Sequence, residues 1–126
     1  MSYDCACDYD PADWYRAEIR KARKRHDCQE CGGPILPGER YEYAAGQSED
    51  CISTFKTCER CYDIRLWTKN NVPCVCWAHG NMIEDCQEAV NEAARRAPAE
   101  TAGLRFGFLR RIVVRDRLNQ QRGDER

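Results

Sequence analysis

The chain has 126 residues, a formal net charge of -1 and a charged fraction of 33%. A chain this short builds one domain, or one domain with an appendage, whose apolar core alone gives modest stability. The balanced charge excludes a global pull toward nucleic acid or anionic membrane. Ten cysteines are more than packing requires, so the composition points to disulfides or bound metal. The opening "MSYDCACDYDPADW" is acidic and lacks the apolar run of an export signal. No stretch approaches the roughly 20 apolar residues of a membrane span. The expectation is a soluble intracellular protein with reduced thiols, which favours metal.

The first element expected in chain order is a short helix. Asp10 reads as its N-cap, Pro11 as the first helical residue and Asp13 as the third, with Trp14, Tyr15 and Ile19 available for burial. It leads into Arg20, Lys21, Arg23, Lys24 and Arg25. These five charges read as a solvated helix end, as a charge-guarded edge strand, or as a contact patch for nucleic acid or an acidic protein.

Next come two thiol pairs, Cys28-x-x-Cys31 and Cys58-x-x-Cys61, separated by 26 residues. Zinc takes four soft ligands at tetrahedral angles, and each C-x-x-C turn supplies two from one tight loop. A redox C-x-x-C would be expected once, beside a βαβ pattern that is not found. Gly32 and Gly33 can take the positive φ that turns backbone N–H groups toward the thiolates. Pro37-Gly38 reads as a type II turn, and "ERYEYAA" after it alternates like a strand. Ile52 to Lys56 reads as a second strand, followed by Thr57 as N-cap and a helix with Cys58 and Cys61 in its first turn. Knuckle, hairpin and helix in this order make a treble clef. With four protein ligands the shell is closed, so the site is structural and coupled to folding.

Cys5-x-Cys7 and Cys74-x-Cys76 form a second matched set that can offer four more sulfurs, pinning the N-terminus to the segment after the helix. His79 can substitute in that set, and Cys86 can complete a local one with Cys74, Cys76 and His79. Cys86 is explained as well by burial on the stripe Met82, Cys86, Ala89/Val90, Ala93 and Ala97. Cys51 has no partner by spacing and reads as a free thiol. His26 reads as a cover for the knuckle. An HNH-type nuclease shares this scaffold, but its chemistry needs further histidines that the hairpin and helix lack.

From Asn81 as N-cap to Pro98 the sequence reads as an amphipathic helix. The tail can form another, with Leu104, Phe108 and Ile112 on one line, Leu109 and Val113 beside it, and arginines between. Gly103 and Gly107 weaken that helix, and the last residues, from about Gln120, read as disordered. Such a tail packs most often on its own domain or on a second copy of the chain, and next on a partner or a membrane surface.

With "CDYDPADWYRAEIRKARKRHDCQECGGPILPGERYEY", "TFKTCERCYDIRLW" and "PCVCWAHGNM" laid out, the chain resembles small cysteine-rich, zinc-finger-like uncharacterised proteins of bacteriophages and prophages. The similarity covers roughly residues 5 to 85. It implies Cys5, Cys7, Cys28, Cys31, Cys58, Cys61, Cys74 and Cys76 as metal-ligand candidates, and it implies no activity. The expected architecture is α+β, with a zinc-binding treble-clef-like domain and its N-terminal helix over residues 1–80 and a helical extension over 81–126. The expected function is a non-catalytic, zinc-stabilised module, phage-encoded, docking on a host or phage protein or on nucleic acid. The alternatives are a metal-dependent enzyme such as a degenerate HNH-like nuclease, and a structural dimerising or virion component with paired C-terminal helices.

Overall fold

The computed structural model describes residues 14–48, 50–72 and 75–123. Its elements in chain order are β1 (Trp14–Lys21), β2 (His26–Asp27), β3 (Pro34–Ile35), β4 (Arg40–Ser48), β5 (Cys51–Cys58), α1 (Glu59–Asn71), α2 (Met82–Arg96) and α3 (Leu104–Gly123). β1, β4 and β5 form an antiparallel sheet in the order β1-β4-β5, and β2 pairs with β3 in a separate short ribbon. The class is α+β, as the sequence predicts.

The N-terminal helix expected around Trp14, Tyr15 and Ile19 is a correction, because those residues belong to a strand. In β1 a period of two places Trp14, Arg16, Glu18 and Arg20 on one face and Tyr15, Ala17, Ile19 and Lys21 on the other. Its backbone pairs along β4 from Trp14 opposite Gln47 to Lys21 opposite Arg40. A partner strand distant in sequence satisfies every second N–H and C=O, and aromatic and β-branched side chains suit it. Local capping signals cannot reveal that partner. Asp10, Pro11 and Asp13 lie outside the described residues.

The turn at Pro37-Gly38 is as expected: Gly38 has φ +90°, and Glu39 N donates to Leu36 O at 3.0 Å. β4 and β5 then form a hairpin with Tyr41 opposite Cys58 and Ser48 opposite Cys51. α1 starts one residue later than predicted. Cys58, not Thr57, stands at the N-cap, without a side-chain cap bond, and Thr57 Oγ1 is buried with no hydrogen-bond partner.

One face of the sheet is covered. Glu42 and Ala44 of β4 are buried there, and the cover comes from α1 and the chain around Trp77 and His79. Arg65 of α1 reaches Glu42 through both carboxylate oxygens, with Nη1 to Oε1 at 2.9 Å. The guanidinium also lies over the rings of Tyr62, at 4.8 Å, and Trp77, at 4.4 Å. Burial opposes the Arg65 charge, and the Glu42 carboxylate together with Tyr15 and Tyr62 more than offsets it.

The helices share one apolar cluster with the sheet. α2 buries Met82, Cys86 and Val90, matching the predicted stripe, and α3 buries Leu104 and Phe108 against the same cluster with Ile112 beside them. Gly107, which costs helix propensity, serves packing: a Cβ there would lie 2.8 Å from Trp67 Cζ2 of α1. α3 continues to Gly123, past the disorder expected from Gln120. No helix among the described residues is long and apolar enough to cross a membrane.

The Arg65–Glu42 pair generates a stability prediction. Glu42→Ala leaves a buried guanidinium uncompensated and should destabilise the fold by about 3–5 kcal/mol in denaturant unfolding. A loss below about 1 kcal/mol would show that the pair does not hold the sheet to α1.

Candidate metal centre

Four cysteines predicted from spacing converge. Cys28 and Cys31 flank the turn between β2 and β3, Cys58 ends β5, and Cys61 lies in the first turn of α1. Their sulfurs all lie within 4.8 Å of one another. Cys28 to Cys61 is 3.9 Å and Cys31 to Cys58 is 3.7 Å. Four sulfurs about 2.3 Å from a common centre would sit about 3.8 Å apart at the tetrahedron's edges. The tetrad therefore has the dimensions of an all-thiolate site and lies close enough to hold a metal ion.

The backbone is arranged to receive negative sulfur. Glu30 N and Cys58 N approach Cys28 Sγ at 3.4 and 3.3 Å, and Gly33 N approaches Cys31 Sγ at 3.4 Å. Gly32 makes this turn at φ +72°, closed by its N–H to Cys28 O at 2.9 Å. The first turn of α1 adds the positive end of a helix dipole.

Thiols this close cannot all ionise alone. For Cys28 the hydrogen bond with Cys31 raises the pKa, but those with Cys58 and Cys61 outweigh it and bring the thiol to about 7. Cys31 is acidified, first by Cys28. Cys58 and Cys61 are pushed up, in each case first by Cys28. A divalent cation held by the four cysteines would remove that conflict by stabilising all four thiolates together.

The C-terminal helix closes the site, which the sequence did not announce. Asn119 Nδ2 donates to Cys31 Sγ at 3.3 Å, and Arg115 Nη1 approaches Cys61 Sγ at 3.8 Å. Arg60 fixes the Asn119 amide by donating from Nε to its Oδ1 at 2.8 Å, so that the amide nitrogen faces sulfur. Arg60 also donates from Nη2 to Pro34 O at 2.8 Å. Gly33 makes room: a Cβ there would come within 2.5 Å of the Asn119 amide. Arg115 and Asn119 are four residues apart and share one helix face. That spacing is the only sequence signal that could have exposed them.

The two residues inside the first C-x-x-C extend the connection. Gln29 N donates to Lys56 O at 3.0 Å, and its side-chain oxygen accepts from Lys56 N, joining the turn to β5. Glu30 accepts from Gly80 N at 2.6 Å and Met82 N at 3.1 Å, so it caps α2 in place of Asn81, whose side chain makes no cap bond.

The remaining candidates fall elsewhere. Among the described residues the tetrad is the one cluster able to hold a metal. Cys5, Cys7 and Cys74 lie outside the described residues, and Cys76 is disulfide-bonded, so the metal reading rests on the first tetrad. His79 stacks on Phe55 with centroids 4.3 Å apart, meets the edge of Trp77 at 4.7 Å, and shares Nε2 with the Tyr15 hydroxyl at 2.9 Å. Burial holds its imidazole below the ordinary value. Cys86 is a buried free thiol raised by burial to about 11, as a small hydrophobe should be, and Cys51 is free and exposed. His26 packs against Tyr41 at 5.3 Å beside the knuckle. Arg20 lies over the Tyr43 ring at 3.9 Å, and Arg25 is 3.7 Å from Asp27. No protein-family model, curated protein or solved structure matches the chain. The class defined by fold and site is a small α+β domain built around a four-cysteine cluster.

Outer hydrogen bonds to ligands hold a metal in place. Asn119→Ala should accelerate metal transfer to a chromogenic chelator by about 10-fold while leaving stoichiometry unchanged. An unaltered transfer rate would show that α3 merely lies beside the tetrad.

Proposed function

We propose that this chain is a zinc-ordered, non-catalytic binding module of treble-clef type that presents a surface to a macromolecular partner. The single observation that carries the reading is the tetrad, four sulfurs at tetrahedral spacing with N–H groups directed at them. Four thiolates complete the shell of zinc and leave no position for an activated water, so the ion's work is to fix the fold. Cys28, Cys31, Cys58 and Cys61 would hold the ion. Arg115, Asn119 and the Gly33 N–H disperse the negative charge of the bound thiolates. The module acts in the bacterial cytoplasm, where the four tetrad thiols stay free for metal even though Cys76 is disulfide-bonded. The resemblance to phage and prophage proteins adds that its partner is a host or phage macromolecule.

Native mass spectrometry and X-ray absorption on the purified full chain test this reading. The expected result is zinc bound through four sulfurs at about 2.3 Å, with the folded charge-state distribution lost on chelation. A folded chain free of zinc, or a zinc ion with an oxygen ligand, would contradict it.

A second reading, a homodimer through α3, is favoured by Phe106, Leu109 and Val113, which stand exposed on the side of α3 away from the core, Phe106 at 71%. Light scattering would then give about twice the 14.6 kDa chain mass. A Leu109→Glu, Val113→Glu variant would restore the monomer. A wild-type monomer at high micromolar concentration would rule this reading out.

A further inference from the structure

We propose that the uncovered face of the β1-β4-β5 sheet docks single-stranded nucleic acid; this rests on the binding-module reading and names its partner. Register places Arg16 and Arg20 of β1, Tyr43 and Ala45 of β4 and Lys56 of β5 on that face, opposite the side covered by α1. All of β1 is exposed. A trench of about 230 Å³ runs along it, lined by Arg16, Glu18, Arg20, Tyr43 and Ala45. The knuckle closes one end, where Tyr41 and Cys58 are buried beneath it, and Trp14 stands at the other.

The charge is local. On this face Arg16, Arg20 and Lys56 stand against the single carboxylate of Glu18, and Arg23, Lys24 and Arg25 follow in the turn after β1, in a chain whose net charge is -1. Glu18 is paired with Arg20 on its own strand. The cationic strip is therefore a feature of this surface and not of the composition. Such a strip attracts a phosphate backbone by releasing counterions.

The rings choose the kind of nucleic acid. Trp14 and Tyr43 share the face, and Tyr43 lies diagonally across from Arg16, with Arg20 above its ring. By strand rise they are separated by about 13 Å along the sheet, with Arg16 between them. An unpaired base can stack on the exposed Trp14 ring and another on the Arg20 guanidinium that covers Tyr43, while phosphates cross the neighbouring cations. A duplex hides its base faces and would gain only the charge.

Fluorescence anisotropy tests this with the zinc-loaded full chain and labelled mixed-sequence DNA and RNA single strands of about 16 nucleotides, beside a duplex of equal length. The expected result is tighter binding of a single strand than of the duplex. The triple variant Arg16→Ala, Arg20→Ala, Lys56→Ala should weaken it at least 10-fold and flatten the log affinity against log salt slope by about 2 between about 50 and 200 mM. Trp14→Ala should weaken binding without changing that slope. Arg110→Ala with Arg117→Ala, on α3, should change neither. The surface is ruled out if the folded, zinc-loaded chain binds neither strand at about 50 mM salt, if the α3 variant weakens binding as much as the triple variant, or if the duplex binds more tightly. Zinc content measured on the same sample separates the two readings. Strand binding without zinc overturns the module and leaves the surface standing, whereas zinc without strand binding overturns the surface alone.

Discussion

The constraint on which the molecule depends is electrostatic: four sulfurs held within 4.8 Å of one another cannot all carry charge without a cation among them. The fold gathers them from two places far apart in sequence, the β2–β3 turn and the junction of β5 with α1, so the centre joins the knuckle to the hairpin and its helix. β2 and β3 are two residues each. Strands that short do not hold a ribbon by themselves.

What makes the centre a hub is the use made of the residues between its ligands. In the Cys-Gln-Glu-Cys turn, Gln29 faces β5, Glu30 caps α2, and Gly33 just beyond the turn admits Asn119 of α3. A disturbance of the turn therefore reaches β5, α2 and α3 directly through these contacts. The Arg65–Glu42 pair does similar work on the other side of α1, joining it to the covered face of the sheet. Between these two anchors the apolar core is modest, with Met82, Cys86 and Val90 of α2 meeting Leu104 and Phe108 of α3.

Spacing made the tetrad legible, because two C-x-x-C pairs have few other uses and the chemistry of zinc fixes the donor number. The hairpin turn at Pro37-Gly38 and the buried stripe of α2 were legible for equally local reasons, a residue with positive φ and a helical period. β1 reads as helical in the sequence because its capping signals are local, while the strand that recruits it pairs from Lys21 with Arg40 out to Trp14 with Gln47. The cap of α2 was attributed to Asn81, whereas the carboxylate that does the work belongs to Glu30, fifty residues earlier. The closure of the centre by Arg115 and Asn119 shows in the sequence only as a four-residue spacing, which marks a shared helix face and not what that face covers. Side chains that act across the chain leave no periodic trace, and a basic amphipathic tail reads alike whether it covers a metal centre or a partner.

The central claim is that one ion orders knuckle, α2 and α3 together. Amide hydrogen exchange on the full chain before and after chelation under reducing conditions tests it most directly. The account predicts that removing zinc strips protection at once from the Cys28–Gly33 turn, from the start of α2 at Met82 and from the last turns of α3 around Asn119. Protection lost at the turn alone, with the ends of α2 and α3 unchanged, would contradict it.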